Sequence, residues 1–338
     1  MKIFKSIYAS VLCVTCLLSV FSCSNSKTQA QSRVFYEYFD TVSVFYDYTG
    51  LSEENFFEVA EKVEEAIGEY HRLYDIYNEY DGITNLATLN RSAGEGAQKV
   101  DKRIIDMLLF SKEMYNLTDG KVNVAMGAVL SIWHDYREEG ARIPTTAELE
   151  AAAEHTDINN IIIDEENMTV ELTDPEMSLD VGAVAKGYAV EMTAAMLEAD
   201  GLSGCVLDVG GNLRAIGTKP NGGGWSAGVK NPDLTSSKAY VYTFNLKNEA
   251  LVTSGSYERF YTVGGVRYHH IINEETLMPE NYYTSVSVKS DSSALSDALS
   301  TAIFNMQYEE AKMFVEGFSN IIVVFVMPDG EIRTVTGK

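Results

Sequence analysis

The stretch Asp180-Val-Gly-Ala-Val-Ala-Lys-Gly-Tyr-Ala-Val-Glu191 lies near the middle of the chain, after an apolar segment and at the start of a helix-like pattern. Glycines before a helix, with Lys186 nearby, suit an anionic group such as a phosphate, because the first helical amides are unpaired and the dipole favours negative charge. Asp180 would repel a phosphate unless it pairs with Lys186, binds a metal or accepts a hydrogen bond from a ligand. The spacing is not that of a P-loop, and a tight strand–helix turn with a surface lysine is the simpler alternative.

The composition indicates a globular protein with a sizeable core. The chain has 338 residues, of which 46% are hydrophobic and 22% charged. Its formal net charge of −23 argues against a nucleic-acid partner, since no basic stripe is present to meet a phosphate backbone. Twenty tyrosines and fourteen phenylalanines provide aromatic side chains for the core and for stacking on a planar ligand.

The N-terminus has the pattern of a targeting segment. Lys2 and Lys5 precede an apolar run from Ile7 to Phe21 that is short for a bilayer span. Cys23 follows Ser22 as in a bacterial lipobox, although Val20 stands where leucine is commonest. We predict a signal peptide over residues 1–22, a lipidated tether over 23–32 and one domain over 33–338, anchored to a bacterial membrane and facing the periplasm or the exterior. An uncleaved anchor is the alternative.

The cysteines exclude an intramolecular disulfide framework in the processed chain. Cys13 and Cys16 lie in the predicted signal peptide, and Cys23 would carry the lipid. Cys205 would then be alone, in an apolar run typical of a buried strand.

The order of the elements favours an α+β fold with mainly antiparallel sheets, because helices and strands do not alternate strictly. Residues 33–49 predict a strand pair, and 161–163 with 168–172 predict a hairpin. Gly210-Gly211 predicts a bend between two strands, while residues 137–147 read as a surface loop. Ser292 starts a helix that runs to about Met306.

The helix that starts at Ser292 contains the clearest candidate for a ligand-binding pair of side chains. Asp297 and Thr301 are four residues apart and share a helix face in an apolar setting. A carboxylate and a hydroxyl are hard oxygen ligands that suit Mg²⁺, whereas a solvated aspartate is the alternative. His270 could act as a general base or be structural, and the scarcity of His and Cys disfavours a zinc cluster.

Five motifs occur in an order that resembles the ApbE family of lipoproteins, the FAD:protein FMN transferases. They are Asp180-Val-Gly-Ala-Val-Ala-Lys-Gly-Tyr-Ala-Val, Val209-Gly-Gly-Asn, Thr253-Ser-Gly-Ser-Tyr257, His270-Ile-Ile-Asn and Ser296-Asp-Ala-Leu-Ser-Thr301. The resemblance covers roughly residues 33–336. It implies a T-fold-like arrangement of antiparallel sheets packed with helices, with the FAD site between the two halves.

The resemblance also implies an activity. Members bind FAD with Mg²⁺, cleave its pyrophosphate, and transfer FMN to a threonine or serine hydroxyl of a partner protein, releasing AMP. The partner would be a membrane or exported redox protein. Two alternatives remain: an FAD pyrophosphatase that yields FMN and AMP, and a carrier lipoprotein that binds FAD without turning it over.

The family pattern assigns roles to individual positions. The metal ligands would be Asp297, Thr301 and the backbone oxygen of Ala183, and His270 would activate the acceptor hydroxyl. The flavin-nucleotide contacts would be Phe39, Tyr80, Gly120, Lys121, Val122, Asp180, Lys186 and Ile272.

This sequence departs from the pattern near the expected entrance for FAD. Asn273-Glu-Glu-Thr replaces the usual Asp-Pro-x-Thr-Gly, and Phe39-Asp-Thr41 replaces a Met-Gly-Thr-like segment. Residues 75–90 match loosely, so Tyr77 competes with Tyr80 as the stacking aromatic. No convincing flavinylation motif is present, which favours a donor enzyme over a flavinylated product.

Overall fold

The computed structural model describes residues 30–233 and 235–338. The predicted signal peptide (1–22), the lipid attachment at Cys23 and tether residues 24–29 lie outside the described residues. The first strand begins at Gln31, two residues before the predicted domain boundary. In the described part of the chain, no helix has the length and apolar character needed to cross a membrane.

The described residues form strands and helices with the following bounds. The strands are β1 (Gln31–Phe35), β2 (Ser43–Asp47), β3 (Gln98–Lys99), β4 (Ile161–Asp164), β5 (Thr169–Leu172), β6 (Cys205–Val209), β7 (Asn212–Ile216), β8 (Trp225–Lys230), β9 (Tyr240–Leu246), β10 (Ala250–Gly255), β11 (Phe260–Val263), β12 (Val266–His269), β13 (Ser285–Ser290), β14 (Ile322–Val326) and β15 (Ile332–Thr336). The helices are α1 (Glu53–Tyr74), α2 (Leu86–Arg91), α3 (Lys102–Leu117), α4 (Gly127–Glu139), α5 (Thr146–Ala153), α6 (Ala185–Ala199), α7 (Ser293–Phe304) and α8 (Tyr308–Glu316).

An eight-stranded antiparallel sheet is the framework of the fold. Its strand order is β1-β2-β6-β7-β10-β13-β14-β15, and every neighbouring pair is antiparallel. Three smaller antiparallel sheets are β3-β5-β4, β8-β9 and β11-β12. The prediction of an α+β fold with mainly antiparallel sheets is confirmed.

The two faces of the main sheet are covered differently, as the period-2 alternation of a strand requires. Val323 and Phe325 of β14 point into the larger core with α1, α6 and α7, whereas Val324 between them points into a second core. Trp225 and Phe244 of the β8-β9 hairpin close that second core. The helical face therefore holds α6 and α7 directly against the sheet.

A third cluster packs α4 and α5 against the β11-β12 hairpin. Trp133, Tyr136 and Tyr261 belong to it, and the Trp133 indole donates a 2.9 Å hydrogen bond to the Leu277 carbonyl. The prediction that residues 137–147 form a loop was wrong at both ends, because α4 runs to Glu139 and α5 begins at Thr146. Tyr136 is buried in the last turn of α4. Gly140 then ends the helix with a φ of 69°.

The turn between β6 and β7 is built from Gly210 and Gly211, which confirms the predicted bend. Both glycines have positive φ values, 57° and 89°. A Cβ on Gly210 would lie 2.4 Å from the Thr41 hydroxyl oxygen. The glycine therefore lets this turn approach the segment of Phe39, whose own φ is 53°.

Candidate active site

The N-terminus of α6 binds a carboxylate from α7. Val184, the residue at the N-cap, provides no side-chain cap. Instead, the Gly187 amide donates a 2.7 Å hydrogen bond to Oδ2 of Asp297. The sequence pattern predicts an anion at this helix start, and the structure supplies one from the protein itself, so that this amide is already paired.

Asp297 is 4% exposed and lies beside one cation. Its Oδ1 is 3.6 Å from Nζ of Lys186, which is half-buried. Lys186 therefore pairs with Asp297 rather than with Asp180. A buried carboxylate is costly unless it is compensated, and here the amide of Gly187 and the ammonium of Lys186 compensate it.

The hydroxyl of Thr301 lies one turn of α7 after Asp297 and is oriented by two serines. Ser300 donates to the Asp297 carbonyl at 2.9 Å, so it accepts from Ser254 across a 2.8 Å contact. Ser254 Oγ is also 3.5 Å from Thr301 Oγ1. Because Ser254 uses its proton on Ser300, it can only accept from Thr301, and the lone pairs of Thr301 stay available to a cation.

These residues fit the Mg²⁺ that the resemblance implies. Within residues 30–233 and 235–338, no three His, Cys, Asp or Glu side chains form a metal cluster. The candidate ligands are one carboxylate oxygen of Asp297, one hydroxyl of Thr301 and the carbonyl of half-buried Ala183 before α6. This set suits a hard cation that completes its shell with water and phosphate oxygens.

Asp180 occupies the turn that precedes α6. Its amide donates to the Val124 carbonyl at 2.9 Å, and its Oδ1 accepts from the Gly182 amide at 2.8 Å. Burial raises the pKa of Asp180, and the Gly182 amide and Arg259 oppose that rise. The sequence pattern did not identify Arg259, nor Arg137 and His134, which also lie near this carboxylate.

His270 directly follows β12 and is held by the backbone of Arg259. Its amide donates to the Arg259 carbonyl at 3.1 Å, and its Nδ1 is 3.3 Å from the same oxygen. A carbonyl can only accept, so Nδ1 carries the proton and Nε2 keeps its lone pair. Burial, and then the Arg259 charge, lower the pKa of His270 to about 3, so the imidazole is neutral at neutral pH.

Phe39 and Tyr80 meet through His71, which the sequence reasoning did not single out. The Phe39 amide donates to His71 Nδ1 at 3.3 Å, and their rings are 5.5 Å apart in an edge-on arrangement. The Tyr80 hydroxyl is 3.5 Å from His71 Nε2 and donates to Asp75 at 2.8 Å. The two predicted FAD contacts therefore belong to one group.

Tyr77, the competitor of Tyr80, lies in a different environment. Its side chain is 65% exposed, and its ring centroid is 5.6 Å from that of His134. The partial burial of its phenol, and then the charge of Asp180, raise the pKa of that group. Tyr77 therefore lies beside Asp180, whereas Tyr80 is held by Asp75 and His71.

The segment from Gly120 to Val122 lies against the segment after His270. Nζ of Lys121 is 3.1 Å from Glu275 and 3.5 Å from Glu274. Val122 and Ile272 are 1% and 7% exposed, so their side chains belong to the core and leave the backbone as their means of contact with a ligand. Gly120 has a φ of 86°, which explains a glycine at that turn.

Asn273-Glu274, which stands where the family pattern has Asp-Pro, forms a turn. Asn273 Oδ1 accepts from the amides of Glu275 and Thr276 at 2.9 and 3.1 Å. Its Nδ2 donates to the Asn305 carbonyl at 3.1 Å, just after α7. The residues that differ from the family pattern therefore form the turn and supply two of the three carboxylates around Lys121, the third being that of Glu310.

The predicted residues form separate bonded groups rather than one network. Lys186 and Asp297 are paired, with Thr301 one turn further along α7, and Phe39 and Tyr80 share His71. No hydrogen bond or ion pair within the described parts of the chain joins those two groups directly.

Comparison with known proteins finds one family model and several relatives that share a name. The family model described as "ApbE family" matches residues 40–325. The FAD:protein FMN transferase of Treponema pallidum is 31% identical over 266 residues, which cover 75% of this chain and 73% of that protein. The protein of that name from Klebsiella pneumoniae is 26% identical over 269 residues, covering 77% and 83%.

Solved structures agree in fold. The ApbE protein of Thermotoga maritima superposes with a TM-score of 0.80 at 27% identity, covering 91% of this chain and 97% of that one. The flavin transferase ApbE of Vibrio cholerae gives a TM-score of 0.75 at 21% identity, covering 92% and 98%. The resemblance drawn from the sequence motifs is therefore confirmed, and the chain belongs to the ApbE family.

Proposed function

We propose that this chain is an FAD:protein FMN transferase that uses Mg²⁺ to move FMN from FAD to a threonine or serine hydroxyl of a partner protein, releasing AMP. The name shared by the curated relatives supports flavin transfer. The observation that carries the finer proposal is the Asp297 carboxylate, buried at the start of α6 with Lys186 at 3.6 Å and Thr301 one turn away.

The residues of the chain can perform the parts of such a transfer. The acceptor oxygen would bond to the FMN phosphorus while the bond from that phosphorus to the bridging oxygen breaks, and AMP leaves with that oxygen. Phosphoryl transfer requires positioning and charge neutralisation more than covalent chemistry by the protein. Asp297, Thr301 and Ala183 would hold Mg²⁺, which supplies positive charge to the pyrophosphate, and Lys186 adds its own.

His270 would accept the proton of the acceptor hydroxyl at Nε2. Its Nδ1–H is committed to the Arg259 carbonyl, which fixes the tautomer that this role requires. Because the pKa of His270 is lowered to about 3, the basic form is populated throughout the neutral range. A general base must be unprotonated before it can accept a proton.

The direct test is to incubate the purified protein with FAD and Mg²⁺, with and without an acceptor that carries a flavinylation motif. AMP release and the mass of the acceptor would be followed. We expect an acceptor mass gain equal to FMN that disappears when EDTA removes the metal. AMP without labelling of any acceptor would favour the pyrophosphatase, and bound FAD without AMP would favour the carrier.

The His270→Ala variant tests the role of the histidine separately. We expect FAD binding within about twofold of the wild type and a transfer rate reduced by about 10²–10⁴-fold, the usual contribution of a general base. Binding can be measured by flavin fluorescence. If the variant transfers FMN at the normal rate, His270 is not the base; if FAD binding fails, the histidine is a ligand contact or a structural residue.

We also propose that Cys23 carries a lipid that anchors the protein to a bacterial membrane, facing the periplasm or the exterior, where it would meet a membrane or exported acceptor. The basic start, the apolar run and the Ser22-Cys23 pair support this. The Cys23→Ser variant should lose incorporation of labelled fatty acid. Retained lipid in that variant would contradict the proposal.

A further inference from the structure

Helices α6 and α7 cap each other in a reciprocal arrangement. Gly187 on α6 donates its amide to Asp297 on α7 at 2.7 Å, and Ser293 on α7 donates its amide to Oε2 of Glu191 on α6 at 2.5 Å. Each helix thus presents an amide at one position and a carboxylate four residues later, on the same face. The pairing of 187 with 297 and of 191 with 293 means that the helices run in opposite directions at the contact.

The backbones of the two helices are close enough to make this exchange specific. A Cβ on Gly187 would lie 2.3 Å from Cβ of Asp297 and 2.6 Å from the Ser293 carbonyl oxygen. The absence of a side chain at position 187 therefore allows the contact. Sliding one helix along the other by a single turn, about 5.4 Å, would break both capping bonds together.

A buried arginine holds Glu191 in place. Arg214 on β7 is 3% exposed, and its Nε is 3.2 Å from Oε2 of Glu191, the oxygen that accepts from Ser293. The guanidinium also donates to the Ala215 carbonyl at 2.5 Å and contacts Glu198 at 3.2 Å. The α7 cap is thereby tied to the central sheet as well as to α6.

We propose that Glu191 and Arg214 are positioning residues that set the register of α7 against α6 and so hold Asp297 and Thr301 in place opposite Ala183 and Lys186. Neither residue belongs to the candidate ligand set. They act through Ser293, which lies one turn before Asp297 on α7. The inference rests on the proposed metal site for its functional consequence, whereas the reciprocal capping itself does not depend on it.

Glu198 provides a matched control. It lies on the same helix and contacts the same guanidinium, but it does not accept from the Ser293 amide. Glu191→Met removes the cap and the charge at similar volume. Glu191→Gln retains an oxygen that can accept from Ser293, and Glu198→Gln weakens only the second ion pair of Arg214.

The first measurement uses the full-length protein without metal or FAD. Hydrogen–deuterium exchange of peptides that contain Gly187 and Ser293 reports the two caps directly. We expect Glu191→Met to speed exchange at the starts of both helices, Glu191→Gln to have a smaller effect, and Glu198→Gln to leave both unchanged. Faster exchange around Ser293 alone, with Gly187 unaffected, would show that the caps are not coupled and would overturn the proposal.

The second measurement is Mg²⁺ binding by titration calorimetry in the presence of FAD. Residues that orient metal ligands typically contribute 10–100-fold in affinity, so we expect Glu191→Met to raise the dissociation constant at least about tenfold, with Glu191→Gln between it and the wild type. Glu198→Gln should stay within about twofold. If Glu191→Met and Glu198→Gln lose Mg²⁺ affinity equally, Glu191 acts only as a salt-bridge partner of Arg214, and the proposal is overturned. If the wild type itself binds no Mg²⁺, the proposed function fails. The hydrogen-exchange result would still show whether the caps of α6 and α7 are coupled.

Discussion

At the residue scale, Asp297 has two separable tasks: it caps α6 through Oδ2 and faces Lys186 through Oδ1. Asp297→Asn keeps an oxygen for the Gly187 amide but loses the charge. We expect it to unfold at nearly the wild-type denaturant concentration and to lose about 10²-fold or more of the Mg²⁺-dependent AMP release.

The comparison variant is Asp297→Ala, which also loses the cap. Loss of a helix N-cap costs about 1 kcal/mol, so urea unfolding should show that decrease in the alanine variant and little in the asparagine variant. Normal turnover in Asp297→Asn would remove this carboxylate from the metal site.

Asp208, at the end of β6, is a residue whose titration affects stability. Its Oδ1 accepts from the Gly211 amide at 2.9 Å. Burial raises its pKa from 3.8 to about 6, and the Gly211 amide and the charge of Lys186 oppose the rise. The folded state therefore binds more protons than the unfolded state between these values, and its stability falls as the pH rises through this window.

We therefore expect Asp208→Asn to gain stability relative to the wild type at pH 7.5, where the half-buried carboxylate is charged, and to gain less at pH 5. Melting temperatures of both proteins at the two pH values measure this. A gain that is equal at both values would show that Asp208 titrates normally.

The sequence identifies candidate site residues well where the residues that act together are close in the chain. The i, i+4 spacing of Asp297 and Thr301 identifies a shared helix face because that geometry depends only on helical periodicity. Arg259, Arg137 and His71 were missed because their neighbours are distant in the chain or lie across a turn, and no spacing rule connects them. The sequence motif contains Glu191 only as its last residue and does not indicate a partner, since Ser293 is 102 residues away.

At the element scale, α6 and α7 were both predicted, but their contact was not. Periodicity indicates that a helix exists and which face is apolar, whereas the pairing of two helices depends on where the chain folds back. The sequence pattern predicts that Gly187 is part of an anion-binding turn. In the structure it is the third residue of α6, and its lack of a side chain lets α7 approach.

Gly187→Ala tests that packing. In an exposed helix, alanine would stabilise by roughly 0.5–1 kcal/mol over glycine. Here the added Cβ would lie 2.3 Å from Cβ of Asp297, so we expect a net destabilisation of about 1–3 kcal/mol, as overpacked cores show. Urea denaturation measures it. Ala195→Gly, at an exposed position of the same helix, reports propensity alone; a stabilised Gly187→Ala would mean that the helices are less tightly packed than described.

At the scale of the whole molecule, the fold class followed from the order of the elements, but the strand order did not. The β1-β2 pair and the β4-β5 hairpin are local, and their patterns predict them. Placing β2 beside β6 joins strands more than 150 residues apart (Asp47 with Cys205). That pairing places the turn of Gly210 against Thr41, two residues after Phe39.

The reactivity of the Cys205 thiol can be used to test this long-range pairing of strands. It is fully buried on β6, third in the order of the main sheet, and burial raises the pKa of its thiol to about 12. Because the thiolate is the reactive form, a protein that begins at Ser24 should not react with a thiol reagent while folded. Reaction should appear in urea together with loss of the circular dichroism signal, because β6 cannot open without separating the sheet. Labelling at low denaturant with no dependence on global unfolding would show instead that the β1-β2 edge opens separately, and with it the segment that carries Phe39.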